Sequence, residues 1–188
     1  PQKGQILIDD VDINDIKVSS LRNGIGQMLQ DVFLFSGTIK DNVTLFDEKF
    51  SEEEINSALS YVNADIFVNQ LENKMNTQIV ERGENFSAGQ RQLLSFARTI
   101  LHKPQILLLD EATANIDTET EILIQDSLDK IKSLGTMLVV AHRLSTIKNA
   151  SKIFVISGGN IVESGSHEDL ISHEGIYKSL YELQFRED

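Results

Sequence analysis

The chain has 188 residues, enough for one domain with a buried core, and its 29 acidic and 17 basic side chains leave a net charge of −12. Such an acidic surface repels phosphate backbones, which excludes sequence-independent binding of DNA or RNA. Cysteine is absent and the four histidines do not recur at metal-ligand spacing, so we expect neither a disulfide framework nor a thiol metal site. No apolar run approaches the roughly 20 residues that span a bilayer, and no signal peptide opens the chain, so the composition predicts a soluble intracellular domain.

The first half of the chain combines two strands with a largely helical region. Apolar segments predict strands at Gln5–Asp9 and Gly24–Leu29, and residues 31–103 are predicted to be mostly helical. Two capping boxes are predicted there, Ser51-x-x-Glu54 and Ser87-x-x-Gln90. The apolar stripes that follow them are Ile55, Ala58, Leu59 and Val62 in the first case and Leu93, Leu94, Ala97 and Ile100 in the second. Pro104 ends the second helix.

Strands and helices alternate in the second half. Strands are predicted at Gln105–Leu109, Thr136–Ala141, Lys152–Ile156 and Asn160–Glu163, and helices at Thr118–Lys132, Ser145–Asn149, His167–Ser172 and Gly175–Gln184. This alternation predicts an α/β fold with a mostly parallel sheet covered by helices. His102, His167 and His173 are interpreted as surface residues.

The wholly apolar segment Ile106–Leu109 runs into two carboxylates, Asp110 and Glu111. An apolar strand of this kind is typical of the centre of a parallel sheet, and open α/β sheets bind ligands at the carboxyl ends of their strands. Asp110 could hold Mg²⁺, directly or through water, and Glu111 could orient a water for attack on a γ-phosphate. The alternative is a strand that merely ends in a polar loop.

A second candidate is the helix start at Ser87, Ala88, Gly89 and Gln90. Free backbone N–H groups and a partial positive charge make a helix N-terminus attractive to phosphate. Ser87 adds a hydroxyl donor, and Gly89 allows the backbone to approach a ligand closely. Taken alone, these residues equally suit an ordinary capped amphipathic helix.

Three further polar residues follow predicted strands or loops. Gln30 could coordinate Mg²⁺ or water, or could be a surface glutamine. His142 could contact a γ-phosphate, or could be a half-buried histidine with its hydrogen bonds satisfied. Asp117 lies just after the two carboxylates and could also serve as an acid at a helix N-terminus.

Taken in order, these motifs resemble the nucleotide-binding domain of an ABC transporter, and the resemblance covers essentially the whole chain. The corresponding motifs are the Q-loop at Gln30, the signature at Phe86–Gln90, Walker B at Ile106–Asp110, the catalytic glutamate at Glu111, the D-loop at Ala114–Asp117 and the switch histidine at His142. The resemblance implies a P-loop NTPase-like sheet, with residues 1–30 and 104–188 as RecA-like core portions. About 31–103 would form an inserted α-helical subdomain that carries the signature.

Finer features resemble exporters of the multidrug or lipid half-transporter type. The segment Gln30–Val43 is similar to the exporter region that helps to form the groove for a coupling helix, and Thr77–Gly83 is similar to the exporter X-loop. The resemblance implies membrane domains upstream in the same polypeptide, export of drug-like, lipid or peptide substrates, and a position at the cytoplasmic face of the cell membrane.

Three departures from the family pattern are visible. No Gly-x-x-x-x-Gly-Lys-Ser/Thr phosphate loop (Walker A) occurs in the 188 residues, nor does the aromatic residue that stacks on adenine. We interpret this as an N-terminal truncation and expect the chain alone to have no measurable ATPase activity and marginal stability. Ala88 replaces the commoner glycine, and Ala114–Asp117 is a variant D-loop of the kind found in exporter halves that pair with a non-identical partner.

The mechanism implied by the resemblance uses two such domains, arranged head to tail around two ATP molecules. Gln30, Asp110, Asp117 and His142 would serve the ATP of this chain, with Mg²⁺ at Gln30 and Asp110. Ser87, Ala88, Gly89 and Gln90 would serve the ATP of the partner domain, which could be identical or different. Two alternatives remain: a soluble ABC-type ATPase, and a non-catalytic half that completes a partner's ATP site.

Overall fold

The computed structural model describes residues 2–29, 32–110, 118–131, 135–141 and 144–184. The chain divides into two compact units, Pro1–Leu138 and Val139–Asp188. In chain order the elements that begin in the first unit are β1 (Leu7–Ile8), β2 (Val11–Asp12), α1 (Val18–Gly24), β3 (Ile25–Met28), β4 (Gly37–Thr38), α2 (Ile39–Thr44), α3 (Glu52–Tyr61), α4 (Asp65–Val68), β5 (Gln78–Ile79), α5 (Ala88–Leu101), β6 (Ile106–Asp110), α6 (Thr118–Ile131) and β7 (Thr136–Val140). Single turns of 3₁₀-helix cover Lys74–Asn76 and Glu81–Gly83.

A three-stranded sheet in the order β3-β6-β7 places the apolar strand β6 in the middle. Strands β3 and β6 run parallel, with Met28 opposite Leu109. Leu107 and Leu109 are buried and Ile106 and Leu108 are half-buried, so one face of this central strand is covered more completely than the other. The α/β fold with a parallel pair at its centre is therefore confirmed.

Helix α5 forms the centre of the helical region and packs against α2, α3 and α6. Its buried residues are Gly89, Gln92, Leu93, Leu94, Ser95, Phe96, Ala97, Thr99 and Leu101. The predicted stripe on this helix is confirmed except at Ile100, which is half-buried. On α3 the predicted stripe is confirmed in full, since its members are at most 5% exposed. Burial of such faces supplies most of the stability of short helices.

Several short elements were not predicted individually from the sequence, although α2 and α4 lie within residues 31–103, which were predicted to be mostly helical. These are the helices α1, α2 and α4, the strand β2, which pairs antiparallel with β1, and the antiparallel pair β4–β5. Each is a pairing or a helix of at most seven residues. An element this short contains too few apolar positions to show a period, so tertiary contacts decide its conformation.

The elements of the second unit are α7 (Leu144–Ile147), β8 (Ile153–Ser157), β9 (Asn160–Gly165), α8 (His167–Ser172) and α9 (Ile176–Gln184). Strands β8 and β9, both predicted, form an antiparallel hairpin, and Gly158 and Gly159 occupy its turn with φ values of 56° and 77°. The small core of this unit consists of Leu144, Ile153, Leu170 and Tyr177.

Glu163 fixes the start of α9 from the neighbouring hairpin. Its carboxylate accepts hydrogen bonds from the backbone N–H groups of Ile176, at 2.6 Å, and Tyr177, at 3.2 Å. A Cβ at Gly175 would lie 2.7 Å from Glu163 Oε1, so a larger residue there would require the carboxylate to shift. A carboxylate at this end also complements the helix dipole.

Two of the three histidines interpreted as surface residues are in fact half-buried. His102, just after α5, stacks edge-on against Phe50 with ring centroids 5.0 Å apart, and burial lowers its pKa. His167 Nδ1 lies 2.8 Å from the hydroxyl of the buried Tyr177. Only His173 is exposed as predicted. The sequence contains no signal for these burials because the partners come from other elements.

Candidate functional site

The N-terminus of α5 begins with the predicted capping box. Ser87 Oγ accepts a hydrogen bond from Gln90 N at 3.2 Å, and Gln90 Oε1 accepts one from Ser87 N at 3.0 Å. Because Ser87 Oγ acts here as an acceptor, its hydroxyl hydrogen can still be donated to another group. The capping box therefore orders this end of the helix without using the hydroxyl proton.

The first turn of α5 suits an anionic ligand. Ser87 and Ala88 are exposed, Gly89 is buried and Gln90 is half-buried. Gln90 N and Arg91 N donate to Ser87 Oγ and Ser87 O within the turn. The amides of Ala88 and Gly89 precede these bonds, and N–H groups in this position bind phosphate at helix N-termini.

The loop before α5 is held by side chains on both sides of it. Asn85 Oδ1 accepts from Val80 N at 3.2 Å, and Asn85 Nδ2 donates to Gln78 O at 2.9 Å. Arg91 Nη1 donates to Phe86 O at 2.7 Å. Gly83 has φ of +70°, and a Cβ there would lie 2.8 Å from Leu34 Cδ1, so this turn requires glycine. The helix start is thereby attached to the segment Gln78–Phe86 as one rigid piece.

Asp110 is the last residue of β6 and is exposed, directly after the buried Leu109. Since β3 and β6 are parallel with Met28 opposite Leu109, the carboxyl ends of the two strands lie at the same edge of the sheet. A carboxylate at that edge has the oxygen ligands that Mg²⁺ prefers. Asp110 therefore fits the metal role predicted for it.

The remaining predicted residues, Gln30, Glu111, Asp117 and His142, lie outside the described residues. The part of the chain that the structure describes contains no group of three or more His, Cys, Asp or Glu side chains close enough to hold a metal. The structure thus places Ser87, Ala88, Gly89 and Gln90 on one helix and Asp110 on the central strand. The other roles rest on the sequence.

Comparison with known proteins decides the family. The model of the ABC transporter family matches residues 1–114 of this chain. The chain belongs to the ABC transporter family. It is 51% identical over 183 residues to a Bacillus subtilis protein named as a probable multidrug resistance ABC transporter ATP-binding/permease protein, YheH. It is 43% identical over 185 residues to an ABC transporter ATP-binding protein of the same organism, YfiC, which is named as uncharacterized.

These relatives are much longer than the chain. The alignments cover 97% and 98% of this ABC transporter chain but only 27% and 31% of the two Bacillus proteins. A solved structure titled as a bacterial Atm1-family ABC exporter with ATP bound superposes with a TM-score of 0.90 at 37% identity, over 98% of this chain and 32% of that one. The chain thus has the fold of an exporter nucleotide-binding domain and spans about a third of its relatives' length.

The family and the exporter-type fold predicted from the motifs are confirmed, as is the character of an ABC transporter ATP-binding domain. Among the described residues of this ABC transporter chain, no helix is long and apolar enough to cross a membrane.

One surface feature of this ABC transporter chain was not recognised from the sequence. Phe33, Phe35 and Phe46, which we call the aromatic patch, are 51%, 43% and 56% exposed. Their rings meet edge to face, with centroids 5.0 Å apart for Phe33–Phe35 and 6.2 Å for Phe35–Phe46. Phe46 and Leu45 both have positive φ, 61° and 55°, which costs of order 1 kcal/mol each and turns the chain back after α2. The clustering of phenylalanines in and just after the segment Gln30–Val43 could have indicated this patch from the sequence.

Proposed function

We propose that this chain is the C-terminal part of an ATP-hydrolysing domain that powers export of drug-like, lipid or peptide substrates by an ABC exporter. The observation that carries the proposal is the exposed Asp110 at the carboxyl end of the apolar central strand, in a chain with the fold of an exporter nucleotide-binding domain. The multidrug name of the Bacillus relative supports an exporter over a soluble ABC-type ATPase or a non-catalytic half.

The proposed hydrolytic residues follow β6 and β7. Asp110 and Gln30 would hold Mg²⁺, which when bound would supply positive charge to the phosphate oxygens of ATP. Glu111 orients and polarises the attacking water, and His142 contacts the γ-phosphate and keeps that water in place. Asp117, in the D-loop, contributes to nucleotide binding.

The proposed role of the signature is to bind the ATP of a second, similar domain. Ser87 donates its free hydroxyl hydrogen to the partner's γ-phosphate, and the amides of Ala88 and Gly89 lie at the same helix end. Gln90 holds Ser87 in place through the capping box. The two domains would meet head to tail, as identical or different halves, and part when hydrolysis removes the bridging phosphate.

The complete exporter would place this domain at the cytoplasmic face of the cell membrane. Coupling helices of the transmembrane domains would contact the segment Gln30–Val43, which includes Phe33 and Phe35 of the aromatic patch. The chain alone lacks a Gly-x-x-x-x-Gly-Lys-Ser/Thr loop, so we propose that the 188 residues by themselves do not hydrolyse ATP.

The test is the substitution Glu111→Gln in the complete polypeptide. We expect phosphate release to fall at least about 100-fold, the usual contribution of a general base, while ATP stays bound. ATP-driven uptake of a lipophilic fluorescent dye into inside-out vesicles should be lost in parallel. The matched control is Glu53→Gln on the exposed face of α3, which should behave as wild type.

Phosphate release at the wild-type rate by the Glu111→Gln protein would contradict the role of Glu111. If the complete wild-type polypeptide hydrolyses ATP but contains no transmembrane segment, the exporter assignment is contradicted and a soluble ATPase is favoured.

A further inference from the structure

The guanidinium of Arg98, on α5, donates three hydrogen bonds to the segment 33–46, which carries the aromatic patch. Its Nε donates to Asn42 O at 2.9 Å, its Nη1 to Phe33 O at 3.3 Å, and its Nη2 to Asn42 Oδ1 at 3.3 Å. Its central carbon lies 6.0 Å from the centre of the Phe35 ring. Arg98 of α5, the helix that begins with the signature and that we call the signature helix, therefore makes four interactions with the segment 33–46, which we call the patch segment.

Arg98 is half-buried, and burial lowers its pKa. None of the carboxylates that the structure describes forms an ion pair with it. A cation withdrawn from water without a counter-charge is costly unless its donors are satisfied. Here oxygen atoms of Phe33 and Asn42 accept three hydrogen bonds from Arg98, so the position of the guanidinium depends on the position of those two residues. Conversely, the position of Phe33 and Asn42 depends on the guanidinium.

Asn42, on α2, extends the contact to the rest of the patch segment. It is 0% exposed, and its Nδ2 donates to Phe35 O at 2.8 Å and Thr38 O at 3.1 Å. Its Oδ1 accepts from Phe35 N at 2.8 Å in addition to Arg98 Nη2. Both oxygen contacts are donors and both nitrogen contacts are acceptors, so the amide has one consistent orientation. Arg98 and Asn42 together fix the backbone on either side of Phe35.

Arg98 lies eleven positions after Ser87, which corresponds to about 16 Å along the helix axis. An α-helix transmits displacement along its axis because its hydrogen-bonded backbone is stiff, and α5 is packed along most of this length. A shift at Ser87 is then felt at Arg98, and through its hydrogen bonds at Phe33 and Phe35.

We propose that Arg98 is a positioning residue that makes the aromatic patch and the signature helix one rigid body, so that engagement of Ser87 by phosphate moves the patch. The inference rests on the proposed function for its consequence, since a patch that contacts a membrane domain would pass this movement on. The rigid attachment itself is inferred only from the contacts of Arg98 and does not depend on the proposed function.

The decisive substitution is Arg98→Met in the complete polypeptide, because methionine keeps the length of the side chain and removes all its donors. Hydrogen exchange should be at least tenfold faster for the backbone amides of residues 33–46 and unchanged for those of α3. In inside-out vesicles, the KM for ATP should stay within twofold of wild type, whereas the dye transported per ATP hydrolysed should fall at least tenfold. A merely structural role would lower transport and hydrolysis together.

Two further variants complete the test. Arg22→Met on the exposed face of α1 is the matched control and should leave every readout unchanged. Arg98→Lys keeps the charge but cannot reproduce three spread donors, so its effects should be smaller in the same direction, and it replaces Arg98→Met if that protein does not fold.

The outcomes separate the two proposals. Unchanged exchange at residues 33–46, or an unchanged ratio of transport to hydrolysis in an active protein, overturns the positioning role. If the wild type neither hydrolyses nor transports, the proposed function is wrong. The exchange measurement needs no turnover, so faster exchange at residues 33–46 would still support the attachment by Arg98 and unchanged exchange would still overturn it.

Discussion

Ser51 and Ser87 cap α3 and α5 with nearly the same geometry. Ser51 Oγ accepts from Glu54 N at 3.2 Å, and Glu54 Oε2 accepts from Ser51 N at 2.9 Å, as Gln90 does for Ser87. Both serines are exposed. They differ in two ways: Ser51 Oγ also donates to Glu54 Oε2 at 3.0 Å, and only Ser87 belongs to the signature. Ser51 is therefore a natural control for Ser87.

We predict that Ser87→Ala and Ser51→Ala each lower the stability of the complete polypeptide by about 1 kcal/mol, the usual cost of losing a cap. Only Ser87→Ala should also lower ATP hydrolysis, by about tenfold, because it removes a hydrogen bond to a charged group worth about 1.5–3 kcal/mol. Thermal unfolding and phosphate release measure the two effects. Equal hydrolysis by the two variants would assign Ser87 a capping role only.

At the scale of elements, the end of α3 is attached to α6 through Asn63. Its Nδ2 donates to Asp126 Oδ2 at 2.8 Å and lies 3.3 Å from both Leu123 O and Ser127 Oγ. Ser127 is 0% exposed, and its Oγ lies 2.9 Å from Val62 O. The ammonium of Lys130 and the amide of Asn63 lower the pKa of Asp126. These contacts attach the helical region to α6.

Asn63 has φ of 59°, which allows its backbone and side-chain contributions to be separated. We predict that Asn63→Gly, which keeps the left-handed conformation, lowers the free energy of unfolding by about 1 kcal/mol through the lost hydrogen bonds. Asn63→Ala should cost roughly 1–2 kcal/mol more, because alanine is strained at this φ. Urea unfolding of both variants is the measurement. If the two variants prove equally stable, residue 63 does not keep its left-handed conformation in the alanine variant, and the predicted strain is absent.

The helices also show which elements an apolar period can predict and which it cannot. Helices α3 and α5 were predicted within one residue of their starts because each has a capping box and an apolar stripe of several turns. Helix α2 has the same device, with Thr38 and Asp41 in place of serine and glutamate or glutamine, but its six residues are too few for a stripe. Its position follows from Asn42, Phe35 and Arg98, which are up to 63 residues apart in the chain.

At the scale of the whole molecule, a strong negative charge coexists with many exposed apolar side chains. The net charge is −12. Exposed apolar residues of β7, β8 and β9 are Leu138, Val140, Phe154, Ile156, Ile161 and Val162. Charge of one sign keeps copies apart, whereas exposed sheet residues attract them. Salt weakens the first effect and leaves the second unchanged.

We predict that the 188-residue chain self-associates increasingly as salt rises from low concentration to roughly 1 M, where the Debye length falls to about 3 Å. Sedimentation velocity would show larger species, and a dye that binds apolar surfaces would fluoresce. The variant Ile156→Glu should reduce both signals, since Ile156 is 69% exposed. A chain that remains monomeric and binds no dye at high salt would show that these apolar residues do not attract.

The sequence by itself determined the family, the α/β class, the central strand ending at Asp110 and the helix start at Ser87, because these depend on local patterns: an unbroken apolar run, and a capping box before an apolar stripe. Only the tertiary structure decided which polar residues hold the elements together. Arg98, Asn42 and Asn63 look like ordinary surface residues in the sequence, since nothing nearby in the chain indicates their partners. Their roles arise from groups that folding brings within hydrogen-bond distance across about 60 residues.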